Sequence, residues 1–285
     1  MKVLVLGVSG LIGNNILKVL SQKASLDVFG TVRSDSSLKH FKSSLVNKIL
    51  TGIDAEDYSK MVSMFGTIRP DVVINCIGAT KHKEKNNNPI NFIKLNALFP
   101  HQLAQICNLL NIKLIQISTD CVFSGKKGLY NENDQSDADD IYGKSKSLGE
   151  VIYGNALTLR TSTIGHELDS NYGLLNWFLA QENECKGFKN AVFSGLPAVV
   201  FAEIIRDLIL DKKDLRGLYH IGANPINKYD LLKLIANIYK KEINIEMDGE
   251  FVIDRSLDST KFNRLTGFEV PKWQDLIQVM HKYEY

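Results

Sequence analysis

The sequence is short of most features that mark a specialised class. No stretch approaches the roughly 18 consecutive apolar residues that a helical membrane span requires. The four cysteines, Cys76, Cys107, Cys121 and Cys185, lie far apart and form no CxxC pair. That spacing disfavours a disulfide framework. Lys and Arg exceed Asp and Glu by only 34 − 32 = 2, so no large basic excess draws in a polyanion. Nucleic-acid binding as the main task is therefore disfavoured. The histidines, at 40, 82, 101, 166, 220 and 281, form neither an HExxH motif nor a ligand-spaced cluster with cysteine, so no metal is expected. The first apolar run, Val3-Leu4-Val5-Leu6, is too short for the h-region of an export signal. The expectation is a cytoplasmic protein with reduced thiols, no membrane attachment and no nucleic-acid partner.

What is present is the composition of a globular protein. Of 285 residues, 44% are hydrophobic and 23% charged, which excludes disordered and fibrous classes. The hydrophobic pattern alternates strand and helix. Strands are expected at Lys2–Gly7, Asp27–Val32, Lys48–Ile53, Asp71–Ile77, Lys113–Ser118 and Leu157–Arg160. Helices are expected at Asn14–Leu20, Tyr58–Ile68, Asn96–Asn111 and Ile141–Tyr153, with Pro100 in the first turn of the third. Near-continuous Val/Ile/Leu strands between amphipathic helices indicate an α/β fold, a Rossmann-type doubly wound parallel sheet covered on both faces. The pattern changes after Arg160. A helix at Ala202–Leu210, a strand at Leu218–Ile221 and a helix at Lys228–Tyr239 suggest a dinucleotide-binding domain over 1–163. A mainly substrate-binding lobe follows over 164–285, some of whose elements are free to return to the sheet.

Gly7-Val8-Ser9-Gly10-Leu11-Ile12-Gly13 is a GxxGxxG loop at the first strand-to-helix turn. Glycines there let the backbone approach a pyrophosphate, and the helix N-terminus supplies N–H donors. Gly7, Ser9, Gly10, Leu11, Ile12 and Gly13 are thus candidate cofactor contacts. The second strand ends in Arg33-Ser34, where an NAD enzyme carries an acidic residue for the ribose 2′-OH. A guanidinium suits a 2′-phosphate, so NADP(H) is favoured over NAD(H). Asp35 nearby leaves the alternative open, as does a purely solvated Arg33.

Tyr142 and Lys146 stand four residues apart on an expected helix and so share a face. An ammonium beside a phenol stabilises the phenolate and fits the phenol to donate a proton to a carbonyl oxygen as hydride arrives at carbon. The spacing alone is uninformative, because Tyr229 and Lys233 share it. Context separates them: Thr119 ends the fifth strand 23 residues before Tyr142, where its hydroxyl can hold a substrate oxygen. Tyr229 lies in the C-terminal part and reads as structural.

The glycine loop, Ser118-Thr119-Asp120 and Tyr142-Gly143-x-Ser145-Lys146 followed by Gly149-Glu150 resemble the extended short-chain dehydrogenase/reductases. The STD-x-VF-x-G string from Ser118 to Gly125, Tyr130-x-Glu132 and the YGxSKxxGE string are similar to the dTDP-4-dehydrorhamnose reductase branch of sugar-nucleotide reductases. Leu157 to Ser162 and Asp254-Arg255-Ser256-Leu257-Asp258 extend the likeness over most of the chain. The resemblance implies a catalytic set of Thr119, Tyr142 and Lys146, with Tyr142 as proton donor and Lys146 on the nicotinamide ribose. It implies that Asp54 faces adenine, that Ile77, Gly78 and Ala79 line the cofactor channel, and that Asn96 stands near the active site. Substrate contacts are expected from Thr80, Thr119, Asp120, Thr163 and Arg255, the last of these a candidate for a phosphate of a nucleotide sugar. Thr163 occupies the place of a tryptophan in the rhamnose enzymes, and the polar segment Thr80–Asn91 is longer than its counterpart. A homodimer is a family-level expectation.

The function so expected is NADPH-dependent reduction of a nucleoside-diphosphate 4-keto-6-deoxy sugar. An epimerase or dehydratase on the same scaffold is one rival, although Asp120-Cys121 lacks the acid pair of a dehydratase. A non-catalytic NADP-binding redox sensor is the other, disfavoured by an intact proton-donor set. His166, Trp177, Phe178 and Cys121 read as structural residues.

Overall fold

The computed structural model describes residues 1–81 and 88–283. Its centre is a seven-stranded sheet. In chain order the first six strands are β1 (Lys2–Leu6), β2 (Asp27–Thr31), β3 (Ile49–Leu50), β4 (Val72–Asn75), β5 (Lys113–Thr119) and β6 (Ala156–Thr161). The seventh, Gly217–His220, comes from the C-terminal part and closes the edge beside β6. Across the sheet the order is β3-β2-β1-β4-β5-β6 and then Gly217–His220, every pair being parallel.

Both faces are buried, and the sequence of β1 shows how. Alternate side chains of a strand point to opposite faces. Val3 and Val5 pack into one cluster with Ile16, Leu17 and Leu20, whereas Leu4 and Leu6 pack into another with Met61, Phe65, Phe99 and Leu103. The first cluster also takes Val199, Val200, Phe201 and Ile205 from the helical stretch Ala198–Ile209. Residues well beyond 163 are thus part of the central sheet and its cover. The remaining lobe is built from two small sheets. One runs Ile226–Asn227, Ala191–Phe193, Ile253–Asp254, and the other pairs Glu184–Phe188 with Asn244–Asp248. Phe178, Leu231, Leu232 and Ile235 fill its core, with Trp177 packed against them.

Several expected boundaries differ: the helix expected from Ala202 starts at Ala198, and the strand expected over Lys48–Ile53 narrows to Ile49–Leu50. The first helix, α1 (Leu11–Leu20), begins inside the glycine loop rather than at Asn14. The helix expected from Ile141 to Tyr153 stops at Leu148, where Gly149 caps it. The helix expected from Asn96 starts at Pro89 and runs to Leu109 through a widened, π-type turn at Ile93–Leu98. Pro100 therefore lies inside a continuous helix, not at its start. A proline there removes a donor and crowds the carbonyl four residues earlier, which is that of Asn96. The widened turn accommodates this. The Asn96 carbonyl lies directly against Gly149, where any Cβ would collide with it.

Topology fixes where a ligand goes. Connections leave β1 and β4 in opposite directions along the sheet, so a crevice opens at their carboxyl ends. The glycine loop and Ile77-Gly78-Ala79 stand at those two ends.

Candidate active site

Gly7 takes φ +79, a left-handed conformation, and its Cβ position is closed by Ile77 at 3.0 Å. Gly13 is constrained by contact: a Cβ there would collide with the Gly7 carbonyl oxygen. The first turn of α1 thus lies flat on the loop. Gly10 is the N-cap and offers no side chain to the end of the helix, which leaves the first-turn N–H groups for an anion. The cradle fits a dinucleotide pyrophosphate. Gly13→Ala should push loop and helix apart and abolish detectable binding of a nicotinamide dinucleotide, read by fluorescence titration. Binding within twofold of the parent would contradict this account.

Arg33 and Ser34 are exposed just past β2. Ser34 caps the short turn Asp35–His40, its hydroxyl accepting from Ser36 N–H. Arg33 makes no ion pair among the described residues. The carboxylate of Asp54 is partly engaged locally, accepting from Glu56 N–H at 3.0 Å.

On the other side of the crevice Asn96 does the positioning. It is 1% exposed. Its Oδ1 accepts from Ala79 N–H at 2.9 Å, and its Nδ2 donates to Ala79 O at 3.0 Å and to Ser145 Oγ at 3.1 Å. One amide therefore ties the strand end Gly78-Ala79 to the helix Ile141–Leu148. Gly78 is exposed, and its missing Cβ would stand 3.9 Å from Lys146 Nζ.

That helix begins at Asp140, whose carboxylate accepts from Gly143 N–H at 3.0 Å. Gly143 has no room for a side chain, since a Cβ would collide with the Cys121 carbonyl. This close approach brings Tyr142 onto the end of β5, beside Thr119, Asp120 and Cys121. The Thr119 Oγ1 also donates to Asp120 Oδ1 at 3.1 Å and accepts from Cys121 N–H at 3.1 Å. Phe92 meets the Tyr142 ring edge-on at 6.1 Å between centroids.

Electrostatics follow from burial. Desolvation, with Cys121, Asp120 and Asp140 nearby, raises the Tyr142 pKa well above the ordinary phenol value, so the group is a neutral phenol at physiological pH. Burial also brings Lys146 down to about 8, opposed by Glu150. Its Nζ donates to Ile117 O at 2.7 Å. Cys121 is pushed up to about 12, chiefly by burial, which makes it a packed thiol and no nucleophile. Asp120 is raised by burial, against the pull of Thr119 and Arg255.

Arg255 reaches this group from the lobe, donating Nε to Phe123 O at 2.8 Å and Nη1 to Cys121 Sγ at 3.7 Å. Thr80 is exposed, and Thr163 pairs with Leu196 in a short parallel ladder. Neither bonds to Tyr142 or Thr119 among the described residues. Of the polar segment Thr80–Asn91, residues 82–87 lie outside the described residues. Lys81 does appear: it pairs with Asp140 at 2.8 Å and sits 5.6 Å from the Tyr142 ring centroid. One residue escaped the sequence reading, and another was quoted there only within a motif string. Lys228, at the start of a lobe helix, is within electrostatic reach of Asp120 and Arg255, and a lysine after an Asn carries no signal in one sequence. Glu150 joins a buried network with Arg160, a partnership that only the fold reveals. Tyr130 and Glu132 turn out to be ties. The Tyr130 carbonyl bonds to His220 Nδ1 at 2.9 Å, and Glu132 accepts from His220 N–H at 3.0 Å.

The sequence matches the family described as RmlD substrate binding domain over residues 1–284. The chain belongs to that family. The dTDP-4-dehydrorhamnose reductase of Aggregatibacter actinomycetemcomitans is 23% identical over 99% of both chains. A probable low-salt glycan biosynthesis reductase of Haloferax volcanii is 30% identical over 56% of this chain and 52% of its own length. Among solved structures, dTDP-4-dehydrorhamnose reductase from Bacillus anthracis in complex with NADP superposes with a TM-score of 0.81. It is 22% identical and covers 99% of this chain and 98% of its own. A dTDP-glucose 4,6-dehydratase from the same organism, in complex with NAD, scores 0.81 at 18% identity, covering 100% and 97%. The extended short-chain dehydrogenase/reductase fold of the RmlD family is therefore the fold of this chain, shared with enzymes of different reaction and cofactor.

Proposed function

We propose that this protein reduces the keto group of a nucleoside-diphosphate 4-keto-6-deoxy sugar, using NADPH. The observation that carries the reading is the close approach of Gly143 to the Cys121 carbonyl, which sets Tyr142 beside Thr119 at the end of β5, with Lys146 on the same helix beside the open Gly78 edge of the cofactor crevice. When bound, the cofactor supplies hydride to the keto carbon. Thr119 holds the carbonyl oxygen. Tyr142 delivers its phenolic proton to that oxygen as the carbon–oxygen double bond is lost. The Lys146 ammonium stabilises the phenolate left behind. A phenol kept protonated by burial is the form that reduction requires. Contacts to the nucleotide, remote from the reacting carbon, supply binding energy that orients it. The named activity of the full-length relatives supports the same chemistry. Arg33, exposed and without an ion pair among the described residues, favours NADPH through the 2′-phosphate.

The test is cofactor consumption. Purified protein with NADPH or NADH and a panel of 4-keto-6-deoxy nucleotide sugars should lose nicotinamide absorbance stoichiometrically with NADPH on one substrate. A changed sugar by NMR without net cofactor loss would mean epimerisation and end the reductase reading. Arg33→Ala should raise the KM for NADPH about tenfold or more, the loss of a charge-assisted contact, and leave that for NADH unchanged. Equal KM values for the two cofactors in the parent protein would remove the NADPH assignment.

A further inference from the structure

The crevice has a further wall that no motif marks. After β6 the chain forms the short strand Thr163–Ile164 and then leaves the sheet. Gly165 stands against the first helix: a Cβ there would meet Leu11 Cδ1 at 3.2 Å and Ala198 Cβ at 3.6 Å. Leu168 packs on the same apolar cluster as Ile12, Leu38 and the buried Val32 and Phe41. One residue later, Asp169 Oδ1 lies 2.8 Å from His40 Nε2 and 3.8 Å from Lys39 Nζ. These two side chains are its ion-pair partners among the described residues. The segment therefore runs from the glycine loop to the turn Asp35–His40, which follows Arg33 and Ser34. Between those two places lie the candidate contacts for the pyrophosphate and adenosine ribose of a dinucleotide.

The two ends of the segment are held differently. Its base is tied by hydrogen bonds: Glu167 N–H donates to Asn176 Oδ1 at 3.1 Å, Asn176 Nδ2 to Ser170 O at 3.0 Å, and Gly173 N–H to Glu167 Oε2 at 2.7 Å. Asn176 belongs to the lobe helix Leu174–Leu179, so the lobe carries the segment. At the far end the Asp169 side chain is 60% exposed and that of His40 18%. An ion pair so open to solvent adds little to global stability. It suits a contact that must open each time a ligand leaves.

We propose that residues 165–173 form a strap over the adenosine half of the bound cofactor, and that Asp169 is the positioning residue that keeps it shut through His40 and Lys39. The proposal rests on the reading of the crevice as a nicotinamide-dinucleotide site. Asp169 acts on how long the cofactor stays and takes no part in the transfer of hydride or proton. Breaking the pair frees the far end of the strap, while Glu167 and Asn176 keep its base folded.

The experiment is stopped-flow displacement of NADPH and of NADH from the full chain, read by nicotinamide fluorescence. Asp169→Asn should raise the dissociation rate of both cofactors about threefold to fivefold, the worth of a solvent-exposed ion pair. His40→Gln should act in the same direction, and the double variant should release no faster than Asp169→Asn alone, because the two residues form one contact. The gap between the parent and Asp169→Asn should close as salt rises, a response that a merely structural loss would not give. Thermal unfolding checks that the variants are folded. Parental release rates in folded Asp169→Asn would overturn the strap and leave the cofactor site standing. Slower release of NADPH alone would also overturn it, since Asp169 would then compete with the 2′-phosphate for Lys39 and His40. A parent protein that binds neither dinucleotide would overturn the strap and the cofactor reading together.

Discussion

Tyr142→Phe should lower turnover about a thousandfold, within the range that a positioned general acid contributes, while NADPH binding stays within twofold of the parent. The substitution deletes one oxygen. The ring keeps its edge contact with Phe92, and the helix keeps its cap at Asp140 and its Gly143 approach to Cys121. Geometry therefore survives and only the proton source is lost. Lys146 adds a pH signature. Its amine titrates near 8 because burial outweighs the help of Glu150. Reduction needs the ammonium, so kcat/KM of the parent should decline as pH rises through about 8. Lys146→Met should be slow across the whole range, without that limb. Retention of more than a tenth of the parental kcat by Tyr142→Phe would mean that water or another group delivers the proton.

The sequence carried the fold because its signals were local. Strands buried on both faces read as Val/Ile/Leu runs, and the alternating sides of Val3, Leu4, Val5 and Leu6 leave that run without polar interruption. The glycine loop was legible for the same reason: Gly7 and Gly13 meet within one turn, so their spacing is their contact. Elements set by distant partners were not. The early start of the helix at Pro89 and its widened turn depend on Gly149 meeting Asn96, fifty-odd residues away in sequence. The short lobe strands, two to five residues long, have little periodicity of their own and exist through their neighbours. In the site, Tyr142, Lys146 and Thr119 lie on elements the pattern predicts. Asn96 was named by likeness, but its work of tying Ala79 to Ser145 needed coordinates. Lys228 needed the lobe to be folded.

Glu150→Gln should destabilise the protein by about 3–5 kcal/mol, because it leaves a buried guanidinium without its counter-charge. Arg160 and Glu150 are 5% and 8% exposed at their side chains. Two parallel bonds of 2.7 Å join them, Nε to Oε1 and Nη2 to Oε2, the bidentate geometry in which a carboxylate does most for arginine. Ser118 donates to the same Oε1 at 2.7 Å, Ser136 contacts Nη2 at 3.1 Å, and His220 Nε2 lies 3.2 Å from Nη1. Burial and the Arg160 charge bring His220 down to about 4, so the imidazole is neutral and accepts from the arginine. It cannot replace the lost carboxylate. The melting temperature should fall by about 10 °C, at a few degrees per kcal/mol for a chain of this size. Replacing Arg160 as well, by Met, should restore part of the loss, since the orphaned charge and not the missing pair dominates the cost. Glu150 also opposes the desolvation of Lys146. Its removal should thus move the alkaline limb of kcat/KM below pH 8 in whatever fraction stays folded. A loss under 1 kcal/mol in denaturant titration, or an unmoved limb, would show that water reaches this network and screens it. The triad would then sit on a solvated floor, and the rise of Tyr142 and fall of Lys146 would be smaller than a dry interior demands.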